Sequence, residues 1–501
     1  MTKFKFSHIL VLASALVLLS LIIRGRPVDF KDGQTIYNTS PTGPYELSNS
    51  IARYIFTKTI VTRQDIFLTY REAKLSAPDV VKFNGRYFSI FPPGVSFLSI
   101  PLYMIGSAFQ LPQLFAYLTT TLFALLNFYL IYWLSRRLGL SVWAGLLASW
   151  VFLFATNALV YANTFTQHHL STAITLVGLH LIFTKLHFWH LILLGLVTGL
   201  GLITDVPNLI LISPILIYGF SRSFQEPKLN ILKWTGFLVG VIPFLLFFLW
   251  YNRTLTGSFF RVPQFVGRVS DSEFAAVKVN PEPTSTPSPK KGLSLPYKPR
   301  NFPQGLYVLL FSRERSWFYY SPLMIIGIIG LAMALKQPKI RPIAQISASI
   351  ITLSLASYAM FGDPWGGWSF GPRYLIPASA ITSIFVGIAL ERYHRNYYFT
   401  VLFFIGLIYS VYVSSLGALT SAAIPPKQEA RLLPDPIPYT YKYNQNLLSQ
   451  SQVGSAIYNL YLGRFIPATT FHLIFTVLAL ICPVYFVLAR WKANSHETKH
   501  S

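Results

Sequence analysis

Long apolar runs alternate with short basic turns over most of this chain. A run of about 20 apolar residues is long enough for a helix to cross the hydrocarbon core of a bilayer. We therefore predict an all-α polytopic membrane protein, a bundle of about 12 transmembrane helices. The predicted spans are 8–23, 114–134, 142–160, 170–183, 191–203, 206–220, 231–250, 320–335, 343–360, 375–390, 399–416 and 473–488.

The basic turns predict how the chain is oriented. Short cytoplasmic loops are enriched in Lys and Arg. With Lys3 and Lys5 in the cytoplasm, every later basic turn falls on the same side. These turns hold Arg136 with Arg137, Lys185, Arg222 with Lys228 and Lys233, Lys336 with Lys339 and Arg341, Arg392 with Arg395, and Arg490 with Lys492. Both termini are predicted to be cytoplasmic, and the first span is predicted to be an uncleaved anchor in the cell membrane.

Two apolar ranges leave alternatives open. Residues 191–220 could form one long tilted helix, but that would move the later basic turns outside, against the positive-inside rule. Residues 95–109 are apolar as well, but counting them as a span would also move the later basic turns outside. We predict that they form a helix in the outer interface, or one dipping into it.

Three long segments remain on the outer side, at 24–113, 252–319 and 417–472. All acidic residues except Glu226, Glu391 and Glu497 are then outside. We divide the chain into residues 1–418, a transmembrane region with the outer loops 24–113 and 252–319, and residues 419–501. The second part holds an outer loop, the last transmembrane helix and a short cytoplasmic tail.

The composition supports a membrane protein and excludes other classes. Hydrophobic residues make up 53% of the 501 residues and charged residues only 12%, against about 25% charged in soluble domains. The formal charge of +24 is spread over loops rather than over a basic domain face, which argues against a nucleic-acid-binding protein. The single Cys482 rules out an intrachain disulfide and a cysteine metal cluster. No Asp, Glu, Lys or Arg lies at the middle of a predicted span, which disfavours an ion-coupled transporter.

Four segments predicted on the outer face carry short motifs rich in aromatic residues, Gly, Pro and Arg. They are Asn84-Gly85-Arg86-Tyr87-Phe88-Ser89-Ile90-Phe91-Pro92-Pro93-Gly94, Trp250-Tyr251-Asn252 with Gly257-Ser258-Phe259, Ser312-Arg313-Glu314-Arg315 with Phe318-Tyr319-Tyr320-Ser321-Pro322, and Trp365-Gly366-Gly367-Trp368-Ser369-Phe370-Gly371-Pro372-Arg373-Tyr374. In order and placement they resemble the prokaryotic GT-C glycosyltransferases. The nearest branch is the one similar to protein mannosyltransferases and lipid A aminoarabinose transferases.

This resemblance implies an enzyme that moves a sugar from a polyprenyl phosphate carrier to a lipid, glycan or protein acceptor at the outer face, with inversion. Such a site needs a carboxylate to take the acceptor proton and cations to hold the phosphate. The resemblance places the carboxylate early in the first outer loop, where Asp32 is the first candidate, Asp29 the second and Glu46 the third. Asp29 or Asp32 alone is about equally well explained as a solvated charge at the exit of the first helix.

The remaining candidates would bind the substrate. Arg373, after Gly371-Pro372, could present a planar fork to phosphate oxygens, or it could be an interfacial arginine. Arg313 and Arg86 are weaker candidates of the same kind. His168, at the start of the fourth span, could lie near the carrier or a divalent ion, although a histidine bonded to backbone explains it better.

Other interpretations remain. Asp205, in the turn before Pro207, is more simply a helix N-cap than a catalytic group. A non-catalytic flippase or permease for lipid-linked sugars would also explain the cations and aromatic residues, as would a structural membrane protein. The sequence establishes no cofactor, and a requirement for a divalent metal is left open.

Overall fold

The computed structural model describes residues 2–25, 45–184, 186–225, 231–269, 273–274, 297–433 and 436–497. These residues are mostly helical. The helices are α1 (Thr2–Leu21), α2 (Ser48–Arg63), α3 (Tyr70–Ser76), α4 (Gly94–Ala108), α5 (Pro112–Arg137), α6 (Val142–Phe154), α7 (Ala158–Ala162), α8 (His168–Ile182), α9 (Phe188–Thr204), α10 (Asn208–Gln225), α11 (Thr235–Thr256), α12 (Phe302–Leu310), α13 (Trp317–Tyr320), α14 (Leu323–Leu335), α15 (Arg341–Ala359), α16 (Ile376–Tyr393), α17 (Tyr397–Leu419), α18 (Lys427–Leu432), α19 (Lys442–Ser449) and α20 (Ala468–Glu497). The strands are β1 (Val80–Phe83) and β2 (Arg86–Ser89).

The predicted spans coincide with helices. Within the described residues, six helices are long and apolar enough to cross a membrane, which makes this a multi-pass membrane protein: α5, α11, α15, α16, α17 and α20. The other predicted spans fall on the shorter apolar helices α1, α6, α8, α9, α10 and α14. The span predicted at 142–160 divides into α6 and α7. The crossing number of about 12 stays a prediction.

The range 191–220 forms two helices rather than one. α9 ends at Thr204, and α10 starts at Asn208. α10 runs alongside α8: Ile212 and Ile215 lie next to Gly178, and Arg222 donates to the Ile182 carbonyl oxygen at 3.0 Å. Because α9 connects the far end of α8 back to the start of α10, it runs antiparallel to both. The two-helix interpretation is the one the structure supports.

One helix lies at the centre of the bundle. Every residue of α16 from Ile376 to Leu390 is buried, and α16 packs against α5, α6, α8, α14 and α15. A helix that is apolar all round is one that neighbours cover on every side. The turn that leads into α16 carries Arg373, so this side chain starts from a rigid position.

Several of the basic turns meet at one end of the bundle, which we call the basic end. Arg137 donates to the carbonyl oxygens of His180 and Phe183, and Arg222 donates to Ile182. The turn between α5 and α6 is tied to the end of α16, because Ser141 donates its backbone N–H to Glu391 at 3.0 Å. Three turns that the sequence placed on one side therefore lie together.

The first outer segment is a small folded unit at the opposite end. Thr69 and Glu72 form a reciprocal capping box that starts α3. β1 and β2 then pair antiparallel through a tight turn at Asn84-Gly85, a sequence that favours two-residue hairpins. The all-α prediction holds for the bundle but missed this hairpin. α4, predicted as an interfacial helix at 95–109, packs against α2, α5 and α9, and its interfacial placement stays a prediction.

Close packing of α9 on α11 supplies a stability test. A Cβ atom at Gly240 would collide with the carbonyl oxygen of Ile192, and backbone cannot move aside cheaply. We expect Gly240→Ala to lower the free energy of unfolding by about 1–3 kcal/mol, as overpacking does. Thermal unfolding of the detergent-solubilised protein would measure it. Gly406→Ala is the matched control, because its Cβ would meet only the flexible Leu323 side chain at 3.2 Å. Equal unfolding temperatures for the two variants would contradict the α9–α11 contact.

Candidate active site

Arg53 is the best-defined cation at the end opposite the basic turns. It lies on α2 and is 2% exposed. Its guanidinium donates to the Gln167 side-chain oxygen at 2.7 Å and to the Asn49 carbonyl oxygen at 3.1 Å, and it stacks 3.9 Å from the centre of the Phe91 ring. Within the described residues it forms no ion pair with a carboxylate, and its Nε atom has no hydrogen-bond partner. Arg53 is thus a buried cation held by neutral groups.

Arg373 lies within electrostatic reach of Arg53. Its Nε atom also has no hydrogen-bond partner, and its guanidinium lies 5.3 Å from the centre of the Tyr374 ring. The loop 365–367 passes close by: a Cβ atom at Gly366, where φ is +75°, would lie 3.1 Å from the Arg373 Nε atom. A side chain at this position would crowd the guanidinium, so the glycine keeps the space around it open.

His168 completes the group of cations and potential donors. It is the first residue of α8 and is 4% exposed, and its Nε2 atom has no hydrogen-bond partner among the described residues. Its ring packs against Tyr161 at 5.1 Å and Tyr374 at 6.3 Å between ring centres. It lies within electrostatic reach of Arg53 and Arg373. The neighbouring His169 is the one bonded to backbone, through the Ala158 carbonyl oxygen at 2.9 Å.

Asp205, interpreted from the sequence as a helix N-cap, is linked to Arg53 through its side chain. Its carboxylate accepts from the Gln167 amide at 3.1 Å, so Gln167 links Asp205 to Arg53. Burial raises the pKa of Asp205 above its ordinary value, while Arg53 and the Gln167 hydrogen bond oppose that shift. The only feature of the sequence that could have suggested a functional role for Asp205 was its position in a turn predicted to face outside.

Electrostatics define what this group can do. Burial lowers the pKa of Arg53 to about 10, Asp205 and Asp79 oppose the shift, and Arg373 adds to it by repulsion. Both arginines therefore remain cationic at neutral pH. A buried and a half-buried guanidinium, neither of which forms an ion pair with a described carboxylate, are costly unless an anion joins them. Arg53 and Arg373, with the His168 imidazole beside them, are what we call the cationic cluster, and side chains of these types can hold an anion such as a phosphate.

Glu46 lies in a different environment. It pairs with Arg24 at 2.8 Å, and both side chains are at most 2% exposed. It also accepts the Ala422 backbone N–H. Burial raises the pKa of Glu46, and Arg24 and the Ala422 hydrogen bond oppose this. Arg24 donates further to the carbonyl oxygens of Thr420 and Gly417, so the pair ties the first outer segment to the end of α17.

The other predicted arginines do not join the cluster through any described contact. Arg313 is exposed. Arg86 is also exposed, at the tip of the hairpin, where its guanidinium lies 4.8 Å from the centre of the Phe67 ring. Arg315 is fully buried and donates to the carbonyl oxygens of Glu314, Trp365, Gly367 and Ile424. It shapes the loop beside Arg373.

Asp29 and Asp32 lie outside the described residues. In the part of the chain that the structure covers, no group of three His, Cys, Asp or Glu side chains could hold a metal ion. The cationic cluster does not suit a divalent cation either, because two guanidiniums would repel it.

The whole arrangement resembles a solved membrane protein. The crystal structure of ArnT from Cupriavidus metallidurans bound to undecaprenyl phosphate aligns over 96% of this chain and 77% of that chain, with a TM-score of 0.51 and 15% identity. The apo state of the same protein aligns over 96% and 75%, with a TM-score of 0.47 and 16% identity. No protein-family model matches the sequence, and no curated protein does. The likeness shows that this chain has an ArnT-like fold.

The Arg24–Glu46 pair can be tested against a catalytic role for Glu46. Removing one partner of a buried ion pair leaves an uncompensated charge, so we expect Glu46→Gln to cost about 3–5 kcal/mol of stability. Asp65→Asn is the control, since it removes a partner of Arg63 in a pair that is over a third exposed and should cost about 1 kcal/mol or less. Thermal unfolding measures both. Unchanged stability with lost turnover would instead assign Glu46 to the chemistry.

Proposed function

We propose that this chain is a membrane glycosyltransferase that takes a sugar from a polyprenyl phosphate carrier and gives it to an acceptor hydroxyl or amine, with inversion. The observation that carries the proposal is the cationic cluster: a buried and a half-buried arginine beside an imidazole whose Nε2 atom has no hydrogen-bond partner among the described residues, at one end of an ArnT-like bundle. The ArnT structure that shares this fold was obtained with undecaprenyl phosphate. A lipid phosphate at the cluster would supply the missing negative charge.

The chemistry follows from these charges. The acceptor oxygen or nitrogen attacks the anomeric carbon from the face opposite the phosphate, and the bond from that carbon to the phosphate oxygen breaks. The bonding electrons leave with the phosphate, whose added charge Arg53 and Arg373 stabilise. The acceptor proton goes to a carboxylate. Asp32, then Asp29, is our assignment for this base, and Glu46 is third because Arg24 already occupies it.

Orientation and organisation belong to the same proposal. Since the turns with Arg137 and Arg222 share one end of the bundle, the positive-inside rule supports a cytoplasmic basic end and an outer cationic cluster. The N- and C-termini would then be cytoplasmic in the cell membrane. Residues 1–418 would form the catalytic region, and residues 419–501 the last outer loop and helix.

Arg373 provides the first functional test. Truncating one member of a buried, hydrogen-bonded charge pair costs about 2–5 kcal/mol of binding, so we expect Arg373→Gln to weaken carrier binding about 30-fold or more. Binding of radiolabelled undecaprenyl phosphate measures the loss of affinity, and thermal unfolding of the ligand-free variant checks that it is still folded.

Arg392→Gln serves as the control for this test, because Arg392 is exposed at the basic end. It should leave carrier binding unchanged. An Arg373→Gln variant that unfolds more easily yet binds the carrier normally would overturn the phosphate assignment.

The base is tested by sugar release. The purified chain is incubated with a panel of radiolabelled polyprenyl phosphate sugars and an acceptor extract, and release is compared with Asp32→Asn and Asp29→Asn. General-base catalysis contributes about 10²–10⁴-fold, so the correct substitution should reduce release by at least about 100-fold while donor binding persists. Release unaffected by both changes would sink the base assignment. No turnover with any donor would favour the non-catalytic flippase.

A further inference from the structure

A cavity lies on the first outer segment, apart from the cationic cluster. It has a volume of about 550 Å³ and sits between the α2–α3 connection and the hairpin turn. Aromatic and charged side chains line it together, which is the composition of many small-ligand sites. Its lining includes Asp65, Phe67, Tyr70, Gly85, Arg86 and Tyr87.

One wall of the cavity is aromatic and held in place. The Tyr70 side chain is 52% exposed, and its ring centre lies 6.2 Å from that of Tyr87. Phe274 supports both rings at 5.6 and 6.0 Å. The Tyr87 hydroxyl donates to Glu273 at 2.9 Å, which fixes its ring. The Tyr70 and Tyr87 rings stand at 68° to each other, so they form a corner in which one ring can cover the apolar C–H face of a sugar by dispersion and desolvation and the other can contact its edge.

The uncompensated charge of the cavity is positive. Asp65 is already used, since it pairs with Arg63 at 3.1 Å and accepts the Phe67 backbone N–H at 3.0 Å. Arg86 forms no ion pair with any described carboxylate. Its guanidinium lies over the Phe67 ring, which leaves its N–H edge free to donate in a bidentate manner. Such a fork suits a carboxylate or a phosphate group.

The hairpin connects this cavity to the cationic cluster. β2 leads from Arg86 to Ser89, and Phe91, two residues later, stacks on Arg53. Five residues of extended chain span roughly 17 Å. A ligand in the cavity would therefore lie several sugar units away from a phosphate at Arg53, on the same outer segment.

We propose that this cavity binds an anionic sugar unit of the acceptor, one that carries a carboxylate or a phosphate. The exposed Tyr70 ring covers its ring face, the Tyr87 ring contacts its edge, and Arg86 pairs with its charge. The identification as an acceptor subsite rests on the proposed glycosyltransferase function. The binding itself does not depend on turnover.

Ligand binding to the purified full-length chain tests this directly, without any donor. The probes are a tetrasaccharide of alternating glucuronic acid and N-acetylglucosamine and a disaccharide bearing mannose 6-phosphate, each beside its neutral counterpart, carboxyl-reduced or dephosphorylated. We expect at least one anionic probe to bind about tenfold tighter than its neutral counterpart in calorimetry. Arg86→Gln should remove that difference, and Tyr70→Ala should weaken the anionic and neutral probes alike.

Arg253→Gln is the matched control, because Arg253 is also exposed and also lies over a phenylalanine ring, 4.6 Å from the centre of Phe259, but does not line the cavity. It should bind both probes as the unchanged protein does. Failure of both anionic probes to bind, or equal binding by Arg86→Gln, would overturn the proposal. Binding that depends on Arg86 in a protein that turns over no donor would leave this site standing and remove the glycosyltransferase.

Discussion

The enclosure of two neighbouring guanidiniums, that of Arg53 fully and that of Arg373 in part, is the constraint on which the candidate site depends. Arg53 is held by α2 and Gln167, and Arg373 leads into α16, the most enclosed helix of the bundle. Neither rigid element can easily carry its charge out to solvent. The two positive charges therefore lie where water solvates them poorly, and only a bound anion or nearby carboxylates can compensate them. Asp205 compensates part of this charge and is linked to Arg53 through the Gln167 amide.

Several parts of the outer end hold these two charges in place. The loop at 365–367 keeps the space around Arg373 open, and Arg315 holds the carbonyl groups of that loop in place. The hairpin delivers Phe91 to the face of Arg53. Such groups bind an anion with little reorganisation, because folding has already paid their ordering entropy.

Much of the fold could be predicted because hydrophobic length is a local property. Helices occur at every predicted span, and Asp205 divides the one ambiguous range as the basic turns indicated. The β-hairpin was not predicted, because the segment was interpreted in terms of helices. Asn84-Gly85, between two short apolar stretches, is nevertheless a two-residue turn signal. Arg373 and His168 could be singled out as candidates from motifs and helix position. Arg53 and Gln167 could not, because an Arg on an amphipathic helix is expected at the surface, and its contact with Gln167 arises only when α8 packs beside α2.

The ion pair between Arg24 and Glu46 has a consequence for how the first outer segment can vary. These residues flank positions 26–44, where Asp29 and Asp32 lie, and their side chains meet at 2.8 Å. The ion pair therefore holds the two ends of that stretch together, whatever residues lie between them. Lengthening a stretch with joined ends costs little, because closure entropy grows only with the logarithm of its length. Relatives of this chain could therefore differ in the length of this stretch while the bundle stays unchanged.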